Sequence, residues 1–161
     1  TCALPISIAL QLDPGYDILT LGAAATFHDL GKYYTPIEIL QKPGRLTPEE
    51  FSIIKLHPQA SWQLLMESHG EIIAEIALQH HERMDGSGYP RGLHADAIRM
   101  DARIIAVADV FDAITSKRSY NNPVSYEQAL SIMEQEQQLY DSDVLHALHI
   151  LVREKRLSIS I

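Results

Sequence analysis

Apolar residues recur along this chain in helix-length stretches separated by turn signals, and the elements can be read off in order. Ile18 to Phe27 is almost wholly apolar and rich in Ala, which predicts a buried helix. Asp17 is placed to cap its start, and Gly31 to stop it in the left-handed conformation common after helices. Upstream, Ile8, Ala9, Leu10 and Leu12 read as the tail of a helix, with a turn at Asp13-Pro14-Gly15. Downstream come a loop through Pro36, a short apolar turn over Ile37 to Leu40, and a second turn at Pro43-Gly44.

Thr47-Pro48-Glu49-Glu50 is a helix start: a Thr cap, Pro at the first position and Glu at the third. That helix runs to Leu56, because Pro58 disfavours a helical conformation at His57. Pro58 opens the next helix, with Trp62, Leu65 and Met66 on its apolar face. Glu71 to His81 predicts a helix with Ile72, Ile73, Ile76 and Ala77 inward, and Arg103 to Thr115 a second strongly buried one. Tyr126 to Leu139 and Asp141 to Arg156 complete the chain, with Asp141-Ser142 as the cap between them.

Residues 1–7 (TCALPIS) stand apart. They lack an initiating Met, set Pro5 where a helix is already under way, and resemble translated sequencing-adapter read-through. They read as a non-native or disordered leader, with the folded domain at 8–161.

Composition narrows the class. At 161 residues with 46% hydrophobic and 21% charged residues, the chain makes one soluble domain with a real core. No run approaches the roughly 18 uninterrupted apolar residues of a membrane span. A net charge of −8 excludes wholesale binding to a nucleic acid polymer, so an anionic substrate needs a local positive site such as bound metal. A lone cysteine, Cys2, excludes an internal disulfide and fits a reducing, cytoplasmic compartment.

The chemistry gathers at a few points. His28-Asp29-Leu30-Gly31-Lys32 puts an imidazole and a carboxylate at the end of the apolar helix. An ionised Asp there needs a cation or a hydrogen-bond network, and a local pairing with His28 or Lys32 serves as well as a metal. His57 sits at a helix junction. His80 and His81 are adjacent, about 100° apart on a helix, so either they flank a bulky centre or one is buried and one exposed. Asp109 lies amid aliphatic residues and needs a partner, with Asp112 three residues on orienting a histidine or water. Lys117 and Arg118 suit a phosphate or a solvated helix end equally. Tyr89 follows a Gly-rich loop and can stack on a base or bond a phosphate. His146 and His149 share a face with no carboxylate beside them and read as surface residues, while His69, beside Gly70, and His94, in a loop, carry no signal.

His28-Asp29-Leu30-Gly31-Lys32, His57-Pro58, His80-His81-Glu82-Arg83-Met84-Asp85-Gly86-Ser87-Gly88-Tyr89-Pro90 and Ala108-Asp109-Val110-Phe111-Asp112-Ala113 together resemble the HD-GYP family. The match runs from about Ile8 onward. The resemblance implies an all-α, HD-domain-like helical bundle with its N-terminal helix truncated. It also implies a bacterial second-messenger phosphodiesterase that cleaves cyclic di-GMP to pGpG and GMP. His28, Asp29, His57, His80, His81 and Asp109 would hold two or three divalent ions, iron or manganese, with Asp29 bridging two. Asp29 and Lys32 would be catalytic, while Lys32, Tyr89 and Arg118 would handle phosphate and base. A regulatory or sensor domain would accompany the domain in the full-length protein.

Two departures bear on this. The family has a further histidine, and in three-metal members a glutamate, on the preceding helix; both would fall before residue 1. The basic residue often found after the position of Tyr120 is replaced by Asn121-Asn122. The alternatives are a hydrolase of another cyclic dinucleotide, or an impaired module that binds a cyclic dinucleotide or a partner protein without turnover.

Overall fold

A computed structural model describes residues 2–116 and 124–157. Among the described residues the fold is entirely helical. In order the helices are α1 (Ala3–Leu12), α2 (Ile18–Phe27), α3 (Ile37–Leu40), α4 (Pro48–Ile54), α5 (His57–His69), α6 (Glu71–Gln79), α7 (Met100–Thr115), α8 (Tyr126–Gln135) and α9 (Ser142–Arg153), with short 3₁₀ turns at Leu30–Tyr34, Ala95–Ala97 and Gln137–Leu139. No helix among them is long and apolar enough to cross a membrane.

Local chemistry sets the helix ends. Asp17 caps α2 by accepting from the Leu19 and Thr20 amides, both at 3.2 Å. Thr47 and Glu50 form a reciprocal capping box at α4. Ser125 and Gln128 repeat the device at α8, and Asp141 caps α9.

Helix α7 is the axis. Its Ala102, Ile104, Ile105, Val107, Ala108 and Phe111 lie in the main core, met by Leu21 and Ala24 of α2, Ile76 of α6 and the apolar faces of α8 and α9. Helix α1 packs on α2, α7 and α9. A smaller cluster of Leu65, Ala74 and Ala77 joins α5 to α6, with Phe27 and Trp62 against it. A part-buried ion pair crosses the bundle, Arg103 Nη1 to Asp141 Oδ2 at 2.9 Å.

Three expectations change. Within the stretch read as a leader, the chain is already helical from Ala3, and Leu4 and Pro5 are buried with Ile8. Pro5 is tolerated because its missing N–H falls in the first turn, where no intrahelical acceptor is needed. Helix α2 is buried on one face only, through Leu21, Ala24 and Ala25, while Leu19 is 82% exposed. Its Ala content allows close packing on that face without specifying the other. Ile72 of α6 likewise points outward.

The burial pattern of α1 and α2 fixes a paired test. Leu4→Ala is expected to cost about 2–5 kcal/mol through a cavity in the core, whereas Leu19→Ala stays within about 0.5 kcal/mol. Urea denaturation of both variants checks this, and a neutral Leu4→Ala would return the leader to the outside of the fold.

Candidate metal centre and groove

The centre is assembled where helix ends meet. Helix α2 gives way after Phe27 to a turn carrying His28 and Asp29, followed by the 3₁₀ turn of Leu30–Tyr34. Gly31 is not left-handed there, contrary to expectation. It is needed for close approach: a Cβ at Gly31 would fall on the His57 carbonyl and the Ser61 amide. Ser61, fully buried on α5, accepts from the Gly31 amide (2.8 Å) and donates to the His28 carbonyl (2.7 Å). The turn is thereby pinned to the helix that begins with His57.

Three histidines share one device. The Nδ1 atoms of His28, His57 and His80 lie 2.9, 2.7 and 2.6 Å from the carbonyls of Ala25, Ile54 and Ala77, each three residues upstream. A carbonyl only accepts, so each Nδ1 carries a proton, and in the neutral form of each ring Nε2 is the lone pair. Those lone pairs converge. His57 and His80 Nε2 are 3.2 Å apart, and Asp29 Oδ1 lies 3.1 and 3.7 Å from them. Asp29 Oδ2 faces the other way, 3.5 Å from His28 Nε2 and 2.6 Å from Lys32 Nζ. His80 and His81 both reach the cluster because α6 ends at Gln79 and the chain is turning; their rings are 4.0 Å apart.

Facing lone pairs and a carboxylate repel unless a positive charge sits among them. Burial pushes His80 down to about 4, partly opposed by Asp29. Burial with the charges of His80, His57 and Arg83 pushes His81 lower still. A proton is therefore poorly held on these two rings at neutral pH. Burial alone would raise the Asp29 carboxyl, but His57, His80, His28 and Lys32 hold it well below the usual carboxylate range. His28 Nε2 and Asp29 Oδ1 are buried and have no hydrogen-bond partner. The ionised Asp29, the His80 and His81 rings that hold a proton poorly, and the two orphaned atoms together fit a divalent cation.

Ligand atoms of Asp29, His57, His80 and His81 all lie within 4.8 Å of one another. Asp109 is outside that group. It is half-buried on α7 and shares a cavity of about 40 Å³ with His28 and Asp112, walled by Leu4 and Pro5. That volume suits a water-sized occupant. The local pairing considered for Asp29 exists as well, since Lys32 and His28 both touch it. Arg118, with Lys117, lies outside the described residues.

Beside the centre runs a groove of about 730 Å³, lined by Phe51, His81, Arg83, Tyr89 and Asp109 among others. Tyr89 stacks on His81, centroids 4.7 Å apart and planes at 26°. Burial raises its hydroxyl to about 12, so it stays protonated.

Several participants escape a linear reading. Glu82, 2% exposed, accepts from the Arg91 amide (2.7 Å) and the Leu93 amide (2.9 Å), folding the Gly-rich loop back over the site. Gly88 allows that fold, since a Cβ there would strike the backbone of His81 to Arg83. Its acid type beside two histidines was the available signal for Glu82; Ser61 had none. His149, expected to lack a carboxylate, meets Glu134 of α8 at 3.3 Å.

A family model described as HD domain matches residues 3–144. A cyclic di-GMP phosphodiesterase from Thermotoga maritima is 48% identical over 135 residues, 81% of this chain and 37% of that protein. The 3'3'-cGAMP-specific phosphodiesterase 1 of Vibrio cholerae is 47% identical over 110 residues, 68% of this chain and 26% of that protein. The chain thus spans little more than a third, or less, of these relatives' lengths. Among solved structures, Bd1817, an HDG"Y"P protein from Bdellovibrio bacteriovorus, superposes with a TM-score of 0.71 at 19% identity, covering 94% of this chain and 51% of that one.

Ser61→Ala strands the Gly31 amide and loosens the His28 carbonyl in a dry setting. A loss of about 1–3 kcal/mol in chemical denaturation is expected, with weaker uptake of added Mn²⁺. An unchanged midpoint would show that the turn is held by other means.

Proposed function

The chain belongs to the HD domain family and carries its HD-GYP signature, and from that premise we propose that it is a metal-dependent phosphodiesterase converting cyclic di-GMP to pGpG and GMP. The observation that carries this reading is the two-faced Asp29 carboxylate, with His57 and His80 at one oxygen and His28 and Lys32 at the other. A carboxylate presented to two sets of donors suits a bridge between cations. Asp29, His57, His80 and His81 would hold one ion, and His28, Asp29 and Asp109 would serve another, in a centre of two or three. The all-nitrogen-and-oxygen donor set favours iron or manganese over a structural zinc. Ions bound there would supply Lewis acidity, neutralising phosphoryl charge and acidifying water.

The side chains have separable tasks. Asp29 stays ionised and anchors the centre. Lys32, paired to Asp29 and 37% exposed, is free to turn its ammonium to a phosphate oxygen. Tyr89 offers a ring face to a base beside His81, and Arg118 would grip phosphate. The groove falls within the few hundred to about 1,000 Å³ of small-molecule sites. A second reading, hydrolysis of cyclic GMP-AMP, is favoured by the 47% identity to the Vibrio cholerae enzyme. We place the activity in the cytoplasm, where the exposed Cys2 thiol stays reduced, under control of a regulatory or sensor domain.

Incubation of the chain with Mn²⁺ or Fe²⁺ and either dinucleotide, followed by chromatography, tests the reading. Linear products are expected; binding without hydrolysis would leave a binding module instead. Asp29→Ala should lose at least one ion by elemental analysis and abolish turnover while circular dichroism stays helical. Full metal occupancy in that variant would refute the bridge. Lys32→Ala should cost about 1.5–3 kcal/mol in kcat/KM without changing metal content, and unchanged kinetics would return Lys32 to a solvated helix end.

A further inference from the structure

Helix α4, like the short α3 before it, buries none of its residues. Its capping box and a Lys42–Glu50 ion pair (2.6 Å) hold it. It nevertheless presents Phe51, 44% exposed, to the groove that His81 and Tyr89 also line. The Phe51 and Tyr89 rings meet edge to face, 6.4 Å apart at 81°, and so form a corner. Lys55, which closes α4, sets its ammonium over both rings, 4.9 Å from the centre of Phe51 and 5.3 Å from that of Tyr89.

Resting on the phosphodiesterase reading above, the geometry points to this corner as a purine subsite that selects guanine, with the base stacked on the aromatic rings and Lys55 donating to its O6/N7 edge. Stacking on an aromatic face accepts any base, so it brings affinity without choice. Choice comes from the edge. Guanine shows two acceptors there, whereas adenine replaces O6 with an amino donor that an ammonium cannot bond. The negative ring faces disfavour a phosphate in the corner but hold a cation weakly, by a contact that an incoming base displaces. Lys55 is on a solvent-exposed stem, free to move from ring face to base edge. Lys32 stands at the Asp29 carboxylate rather than at the aromatic corner, and Arg83 commits Nη1 to the Glu82 carbonyl at 2.9 Å.

The test is calorimetric titration of the metal-loaded chain with hydrolysis-resistant phosphorothioate analogues of cyclic di-GMP and cyclic di-AMP, with metal content and circular dichroism recorded for each variant. The wild type is expected to prefer the guanine ligand. Lys55→Met should weaken that ligand roughly tenfold, leave the adenine ligand within about twofold, and keep metal content. Lys55→Arg should restore the preference, because a guanidinium also pairs with O6 and N7. Phe51→Ala should weaken both ligands alike. Equal losses for both ligands in Lys55→Met would make Lys55 a phosphate contact, and no loss would make it a solvated side chain; either overturns the subsite, as does a wild type without preference. A wild type that binds neither ligand overturns the phosphodiesterase reading as well.

Discussion

An ionised carboxylate surrounded by imidazole lone pairs is the constraint on which the rest of this structure depends. Asp29 cannot be neutral, given its cationic and imidazole neighbours, and His80 and His81 cannot readily be charged, given their burial. Such an arrangement is repulsive by itself and becomes favourable around a divalent ion. The fold accordingly spends its most specific contacts on orientation. Three Nδ1–H groups are bonded to carbonyls one turn back, which fixes tautomer and ring direction before any ion arrives.

Close backbone approach makes that orientation possible. Gly31 lets the turn after α2 touch the start of α5, and Ser61 bonds both sides of the junction. Gly88 and Glu82 do the same for the loop that carries Tyr89. Helix α7 runs behind all of this as the core's axis and delivers Asp109 to the boundary between a small cavity beside His28 and the open groove. Within a chain of net charge −8, three positive groups stand at the site. Lys32 sits on the carboxylate, Arg83 in the groove wall and Lys55 over the aromatic corner.

Much of this was legible in the linear chain. Apolar periodicity located α2, α5, α6, α7 and α9, and cap chemistry placed the starts of α2, α4 and α9, because those signals act within four residues. The candidate ligands were also legible. A His-Asp pair, a His before Pro, a His-His pair and an Asp in an aliphatic helix are each expensive to bury without a shared partner. What stayed hidden depends on contacts between distant segments. Local pattern showed α2 as apolar but not which face was covered, and set residues 1–7 outside a fold whose core encloses Leu4 and Ile8. It explained Gly31 by a left-handed stop, whereas the true reason is the His57 carbonyl lying against it. Ser61, Glu82 and the Lys55–Phe51–Tyr89 corner gain meaning only when α4, α5 and the Gly-rich loop are brought together. Residue type and local spacing determine which groups can ligate, cap or stack; only the packing of helices decides which of them meet, because that meeting is settled by long-range burial and backbone clearance.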